Sequence, residues 1–234
     1  MFVMTIDQQG SRTSADAVPG VLAALEPVAA VVGFARTIGD EVQGVLADPV
    51  AVAEAVRRVA VDSDWHIGIG IGEVDRPLPE TTVEARGEAF YAARQAVEAA
   101  KSAPAHLVVR TGAERSGSPG SASAASPASA STSVPASTSV PASAATSAEH
   151  LDFAEAALRL LVSGLGELRV QSRGYIGFRL DAPEATQTEI AEAFGVSQQA
   201  VSRVLAPGAA EIIAGAQGLA AHHLGLAEGA RNVD

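Results

Sequence analysis

A stretch of 33 residues, 116–148, is built only from Ser, Ala, Thr, Pro, Gly and Val, with no charge and no aromatic ring. Such a composition buries too little apolar surface to offset the entropy of ordering the backbone, so it reads as a disordered spacer. Within it Ser-Thr-Ser-Val-Pro-Ala occurs twice in tandem, at 131–136 and 137–142, as replication slippage would leave it. This one feature divides the chain. Residues 1–115 and 149–234 remain, each large enough for a single core.

The chain has no cysteine, which excludes disulfides, thiolate metal sites and a thiol nucleophile. No apolar run reaches membrane-spanning length, since the best one, 21–35, is broken by Glu26-Pro27. The start lacks the basic flank and long apolar stretch of a secretory signal. A soluble cytoplasmic protein with no membrane partner is expected. The first block carries ten basic and sixteen acidic residues, and the last carries six and eleven. Both are acidic, so bulk electrostatics disfavours nucleic acid, and any DNA contact has to come from a local patch.

In the first block, residues 2–7 read as a buried strand ending in Asp7. A short helix over 19–30 follows, then a strand over 31–38. Gly39-Asp40 turns the chain into a second strand, 42–46, making a hairpin. Pro49 opens a helix to about residue 61. Residues 65–74 alternate strictly, with Ile67, Ile69 and Ile71 on one face and Gly68, Gly70 and Gly72 on the other. That pattern lies inside a strand, with Glu73 where a dinucleotide fingerprint has its third glycine, so the glycine face reads as a surface for close packing of a helix or a partner backbone. A helix over 84–101 and a short strand over 106–110 complete the block. The first six elements spell the split βαβ of ferredoxin-like folds. In that topology the first strand lies antiparallel beside the third, which brings Asp7 and Asp40 to one edge of the sheet. Paired carboxylates there suit Mg or Mn, hard cations that bridge to substrate phosphates.

Gly39-Asp40-Glu41 on a hairpin, and the Ile-Gly strand before Gly87…Ala92-Ala93-Arg94, resemble the palm domain of class III nucleotidyl cyclases. Diguanylate (GGDEF) cyclases are a more distant likeness. Thr37-Ile38-Gly39-Asp40-Glu41-Val42-Gln43-Gly44 and Gly87-Glu88-Ala89-Phe90-Tyr91-Ala92-Ala93-Arg94 are similar to SatD-family proteins, over roughly residues 1–110. The resemblance implies Asp7 and Asp40 as metal ligands, with Glu41 as a further candidate. It also implies a homodimer and a nucleotide ligand. The late helix departs from the cyclases: Tyr91 and Gln95 stand where active members carry Asn and Arg. Arg94 is one residue short, turned about 100° around the helix, and is the remaining candidate for phosphate binding. No catalytic residue is assigned.

In the last block, Phe153, Ala157, Leu158, Leu161 and Leu165 make a helical stripe. Residues 168–180, Arg-rich and partly alternating, read as an extended hairpin or a loop tracking a DNA backbone. The stretch 187–205 matches a helix-turn-helix, similar to those of sigma-like and MarR-like regulators. Ile190, Phe194, Val196, Val201 and Val204 lock the two helices, and Ala191 is small where they cross. Gly195 makes the turn and Ser197 caps the second helix. The exposed face is then Ser197, Gln198, Gln199, Ser202 and Arg203, residue types that pair with adenine, guanine and phosphate. In the last helix, 209–226, Ile212, Ile213, Leu219 and Leu224 close the core or form a dimer seam.

The fold class expected is an α+β, ferredoxin-like (nucleotidyl cyclase palm-like) domain over 1–115. An all-α helix-turn-helix domain over 149–234 follows it across a disordered linker, 116–148. The function expected is a regulator that binds double-stranded DNA as a homodimer, its first domain sensing a nucleotide or dimerising. The alternative is a metal-dependent nucleotidyl cyclase or nucleotidyltransferase with a DNA-binding appendage.

Overall fold

The computed structural model describes residues 1–11, 13–62, 65–78, 81–82, 84–112 and 146–231. Most of the spacer expectation, together with the tandem hexapeptide, falls on 113–145 and so lies outside the described residues.

The first block opens with β1 (Phe2–Gln8), α1 (Val18–Leu25), β2 (Val32–Arg36) and β3 (Glu41–Leu46). It continues with α2 (Pro49–Asp62), β4 (Trp65–Ile71), α3 (Glu88–Ala100) and β5 (Leu107–Thr111). The five strands form one mixed sheet in the order β2-β3-β1-β4-β5. β1 lies between β3 and β4, antiparallel to both, and β5 runs parallel to β4. The fold is therefore α+β, with β1 beside β3 as the element order requires.

The two faces of the sheet are packed by different means. On one face Phe2, Met4, Ile6, Ile67, Ile69 and Ile71 enter a core with α1 and α2. Each fully buried side chain of this size contributes roughly 2 kcal/mol. On the other face α3 lies directly on the β4 glycines. A Cβ on Gly68 would come within 2.2 Å of the Val97 nitrogen, and one on Gly70 within 2.1 Å of the Ala89 oxygen. Ala89, Ala93 and Ala96 on α3 are likewise small and buried, so helix and strand meet backbone to backbone. The Ile/Gly alternation is thus two packing surfaces on one strand.

The second block is helical: α4 (Ser147–Gly166), α5 (Val170–Asp181), α6 (Gln187–Phe194), α7 (Gln198–Leu205) and α8 (Ala209–Arg231). Thr146 caps α4 in a reciprocal box with Glu149, so that helix begins two residues inside the expected spacer. α5 corrects the hairpin or loop expected over 168–180. Its arginines and glycines hid a helical period that packing supplies. Tyr175, Ile176 and Gly177 face inward, and Arg173 is buried, donating to the carbonyls of Leu168, Gly166 and Ala60.

The two blocks touch. Buried residues of α4 and α8 join the same hydrophobic cluster as the Phe2/Ile67 face of the sheet. Asp181, at the end of α5, accepts from both Arg57 and Arg58 of α2. On the far side α4 clamps the edge strand. Glu155 accepts from the Val109 amide at 2.6 Å, Arg159 donates to the Leu107 carbonyl at 3.0 Å, and the two pair with each other at 2.8 Å. An edge strand presents unpaired amides and carbonyls to any passing chain, and this clamp engages one of each. Among the described residues, no single helix is long and apolar enough to cross a membrane.

Candidate functional sites

The carboxylate corner lies at one end of the central strands. Asp7 is the register partner of Glu41 on β3 and of His66 on β4, and Asp40 directly precedes Glu41 in the hairpin loop. The alternation of β1 sends Asp7 to the α3 side of the sheet. Burial and the nearby charge of Asp40 push its carboxyl above the usual range, partly offset by Lys101 and His66. Lys101, which caps the end of α3, approaches Asp7 at 3.7 Å and also bonds Glu98 at 2.7 Å. Glu41 accepts from the Thr37 hydroxyl at 2.6 Å. Beneath the corner, Gln43 donates to Thr5 at 2.9 Å in a buried contact.

The sequence reading missed three members of this corner. Lys101, His66 and His106 arrive from α3, β4 and the turn before β5, and spacing along the chain gives no sign of their meeting. The His66 and His106 rings stand edge to face, 5.0 Å apart. Burial and the neighbouring His106 lower the pKa of His66. Arg94 lies two turns before Lys101 on the exposed side of α3, as do Gln95 and Tyr91, so the cation at the carboxylates is Lys101. Among the described residues, no cluster of three or more His, Asp or Glu is placed to hold a metal ion. Any cation bound by Asp7 and Asp40 would have to displace Lys101 and draw further oxygens from water or substrate.

The α6–α7 pair is assembled from local signals. Thr186 caps α6 in a reciprocal box with Glu189. Gly195 then ends the helix in the left-handed conformation, φ 63°, which a side chain would disfavour. The Ser197 hydroxyl accepts from the Ala200 amide at 3.3 Å and starts α7. Ile190, Ala191, Val201 and Leu205 are buried, and Phe194 stands edge to face on Tyr175 of α5, 5.0 Å away. Gly174 makes room for that ring, since a Cβ there would sit 2.8 Å from it. α5 is therefore the platform that carries the pair, and Asp181 fastens the platform to α2.

On the outer side of α7, Ser197, Gln198, Gln199 and Arg203 are exposed and Ser202 is half-buried. Gln198 reaches Gln187 at 3.3 Å. Gln199 and Arg203 have no hydrogen-bond or ion-pair partner among the described residues. The basic residues of α5 are otherwise engaged, with Arg173 buried and Arg179 donating to the carbonyls of Pro183 and Ala185.

His150 and His223, which carry no ligand spacing in sequence, meet with their Nδ1 atoms 2.9 Å apart where α4 crosses α8. The chain matches no protein-family model, no curated protein and no solved structure at a significant level.

Proposed function

We propose that the chain is a DNA-binding regulator in which α6 and α7 form a helix-turn-helix and α7 enters the major groove. The observation that carries this reading is the division of α7 into two faces. Val201 and Leu205 point into the core, while Gln198, Gln199 and Arg203 are exposed beyond the left-handed turn and the Ser197 cap. Glutamine matches adenine and arginine matches guanine in that groove, with Ser197 and Ser202 as further contacts. With few spare cations nearby, affinity comes mainly from base contacts and from two copies binding together.

The first block is read as a ferredoxin-like, palm-like domain. The order β2-β3-β1-β4 with antiparallel neighbours, and α1 and α2 on the same face, supports that topology. Its role is to sense a nucleotide and pass its state to α7 through the α2–α5 ion pairs. The test is selection of bound genomic fragments, repeated with Gln199→Ala and Arg203→Ala together. Unchanged binding by the double variant would remove the helix-turn-helix reading.

One observation favours a second reading, metal-dependent nucleotidyl transfer: Asp7 and Asp40 lie close enough for one charge to raise the pKa of the other. Mg or Mn between them would polarise a phosphate. Incubation with each nucleoside triphosphate and manganese, with Asp7→Ala as control, tests it. Absence of any product sinks it.

A further inference from the structure

We infer that the outer face of the α4–α8 pair is the docking surface for a second copy of this chain, the two helix pairs closing a four-helix bundle about a two-fold axis. This deepens the regulator reading, but the pairing stands on its own observations and is measured without DNA.

α4 and α8 lie side by side and antiparallel. Ser147 donates to the Ala227 carbonyl at 3.0 Å, the Phe153 and His223 rings lie tilted with their centroids 5.1 Å apart, and a Cβ on Gly164 would sit 3.6 Å from the Ile213 methyl. Their inner faces, including Leu158, Leu161, Leu165, Ile213, Ala220 and Leu224, are buried. The outer faces are apolar as well. Phe153 and Leu160 stand seven residues apart on α4, and Ile212, Leu219 and Leu226 stand seven apart on α8, each between 39% and 69% exposed. Seven-residue spacing on both helices is the seam of knobs-into-holes packing. His223 lies between Leu219 and Leu226 on the turn of α8, so its contact with Phe153 places the two stripes next to each other.

Gly215 continues the α8 stripe, and nothing lies within 4 Å of where its Cβ would be. A glycine inside a helix weakens it, and no contact within the chain asks for this one. A partner helix approaching closely does.

Charge and size point to a copy of the chain itself. α8 carries no Asp, Glu, Lys or Arg from 212 to 227, and the charged side chains in the middle of α4, Glu155 and Arg159, are turned onto β5. Glu149 and Asp152, both exposed, sit in the first two turns of α4, so it is along 153–166 and 212–227 that a chain of net charge −11 can approach itself without like charges meeting. Two helices side by side over the 20 residues of α4 present a face of about 30 by 20 Å, or about 600 Å². Specific pairs bury about 800 Å² per partner, and about 600 Å² at the low end, so this face sits at the lower limit of what a dimer needs.

The experiment is light scattering on the full chain, from micromolar concentration upward. The expected mass is twice 23.6 kDa. Leu160→Glu with Leu219→Glu is expected to weaken association at least tenfold with an unchanged far-ultraviolet spectrum, while Ile38→Glu, on an exposed residue of the first block, leaves it intact. The chain has no cysteine, so Ile212→Cys, Leu219→Cys and Leu226→Cys, made singly, report proximity by oxidative cross-linking even if the double variant misfolds. At least one should cross-link. A monomer at every concentration, a dimer lost with Ile38→Glu and kept by the double variant, or no cross-link at any position overturns the proposal. A monomer that dimerises only when 116–145 is deleted assigns the face to that segment and overturns it too.

Discussion

The carboxylate corner and the outer face of α7 both present polar side chains at the end of an element, and they differ in what those side chains already hold. At the corner, Asp7 faces Lys101, Lys101 bonds Glu98, and Glu41 accepts from Thr37. On α7, Gln199 and Arg203 hold nothing among the described residues, and their side chains are exposed. A ligand at the corner must compete with existing contacts, so binding there is an exchange. A ligand on α7 adds contacts to groups that only water satisfies. A corner of this kind suits a switch, and an open face suits a reader.

The sharpest way to break that comparison is to dismantle the corner from beneath. Gly70→Ala places a Cβ against the Ala89 backbone and should cost about 3 kcal/mol or more, lifting α3 and Lys101 with it. Denaturant melts read the cost. A loss below about 1 kcal/mol would mean that α3 is not seated as described. Next in size is the face of α7. Gln199→Ala with Arg203→Ala should weaken specific DNA binding about a hundredfold, taking about 1–3 kcal/mol per base contact, and leave the melting temperature unchanged. A fall in stability with no fall in binding would move both residues from reading to structure. Ser197→Ala removes one cap and should cost about 1 kcal/mol, with only a few-fold loss of DNA affinity.

The smallest effect has the most informative sign. The carboxyl of Asp7 is held above its ordinary pKa by burial and by Asp40. Protonated Asp7 therefore favours the folded chain, and that contribution is present below about pH 3.9 and lost as pH rises through the folded value. Asp7→Asn should raise the melting temperature slightly at pH 7 and leave it unchanged near pH 3. A drop at pH 7 would show the contact with Lys101 to be a structural ion pair.

What could be read along the chain was whatever has a local cause. The Ile/Gly alternation of β4 foretold two packing faces, and Gly195 followed by Ser197 foretold the end of one helix and the start of the next. α5 was lost because Arg173 and Gly177 fit no apolar stripe. Their burial depends on the Ala60 carbonyl and on Val61, more than a hundred residues away. Separation along the chain also hid Lys101 and His66 from Asp7, and hid the ion pairs of Arg57 and Arg58 with Asp181. The apolar residues of α8 were recognised but not sorted. Ile213 and Leu224 turn inward and Ile212 and Leu219 outward, a division fixed only once α4 is in place.

The Glu155–Arg159 clamp also bears on how this chain can change over evolutionary time. By seating α4 on β5, it holds against each other the two elements that flank residues 113–145. For a spacer of the kind its composition predicts, closure entropy grows only with the logarithm of length, so adding six residues costs about 0.15 kcal/mol. A duplication such as the tandem Ser-Thr-Ser-Val-Pro-Ala is then almost invisible to selection on stability. Descendants of this chain can be expected to differ more in the length of that segment than anywhere in the helices and strands it connects.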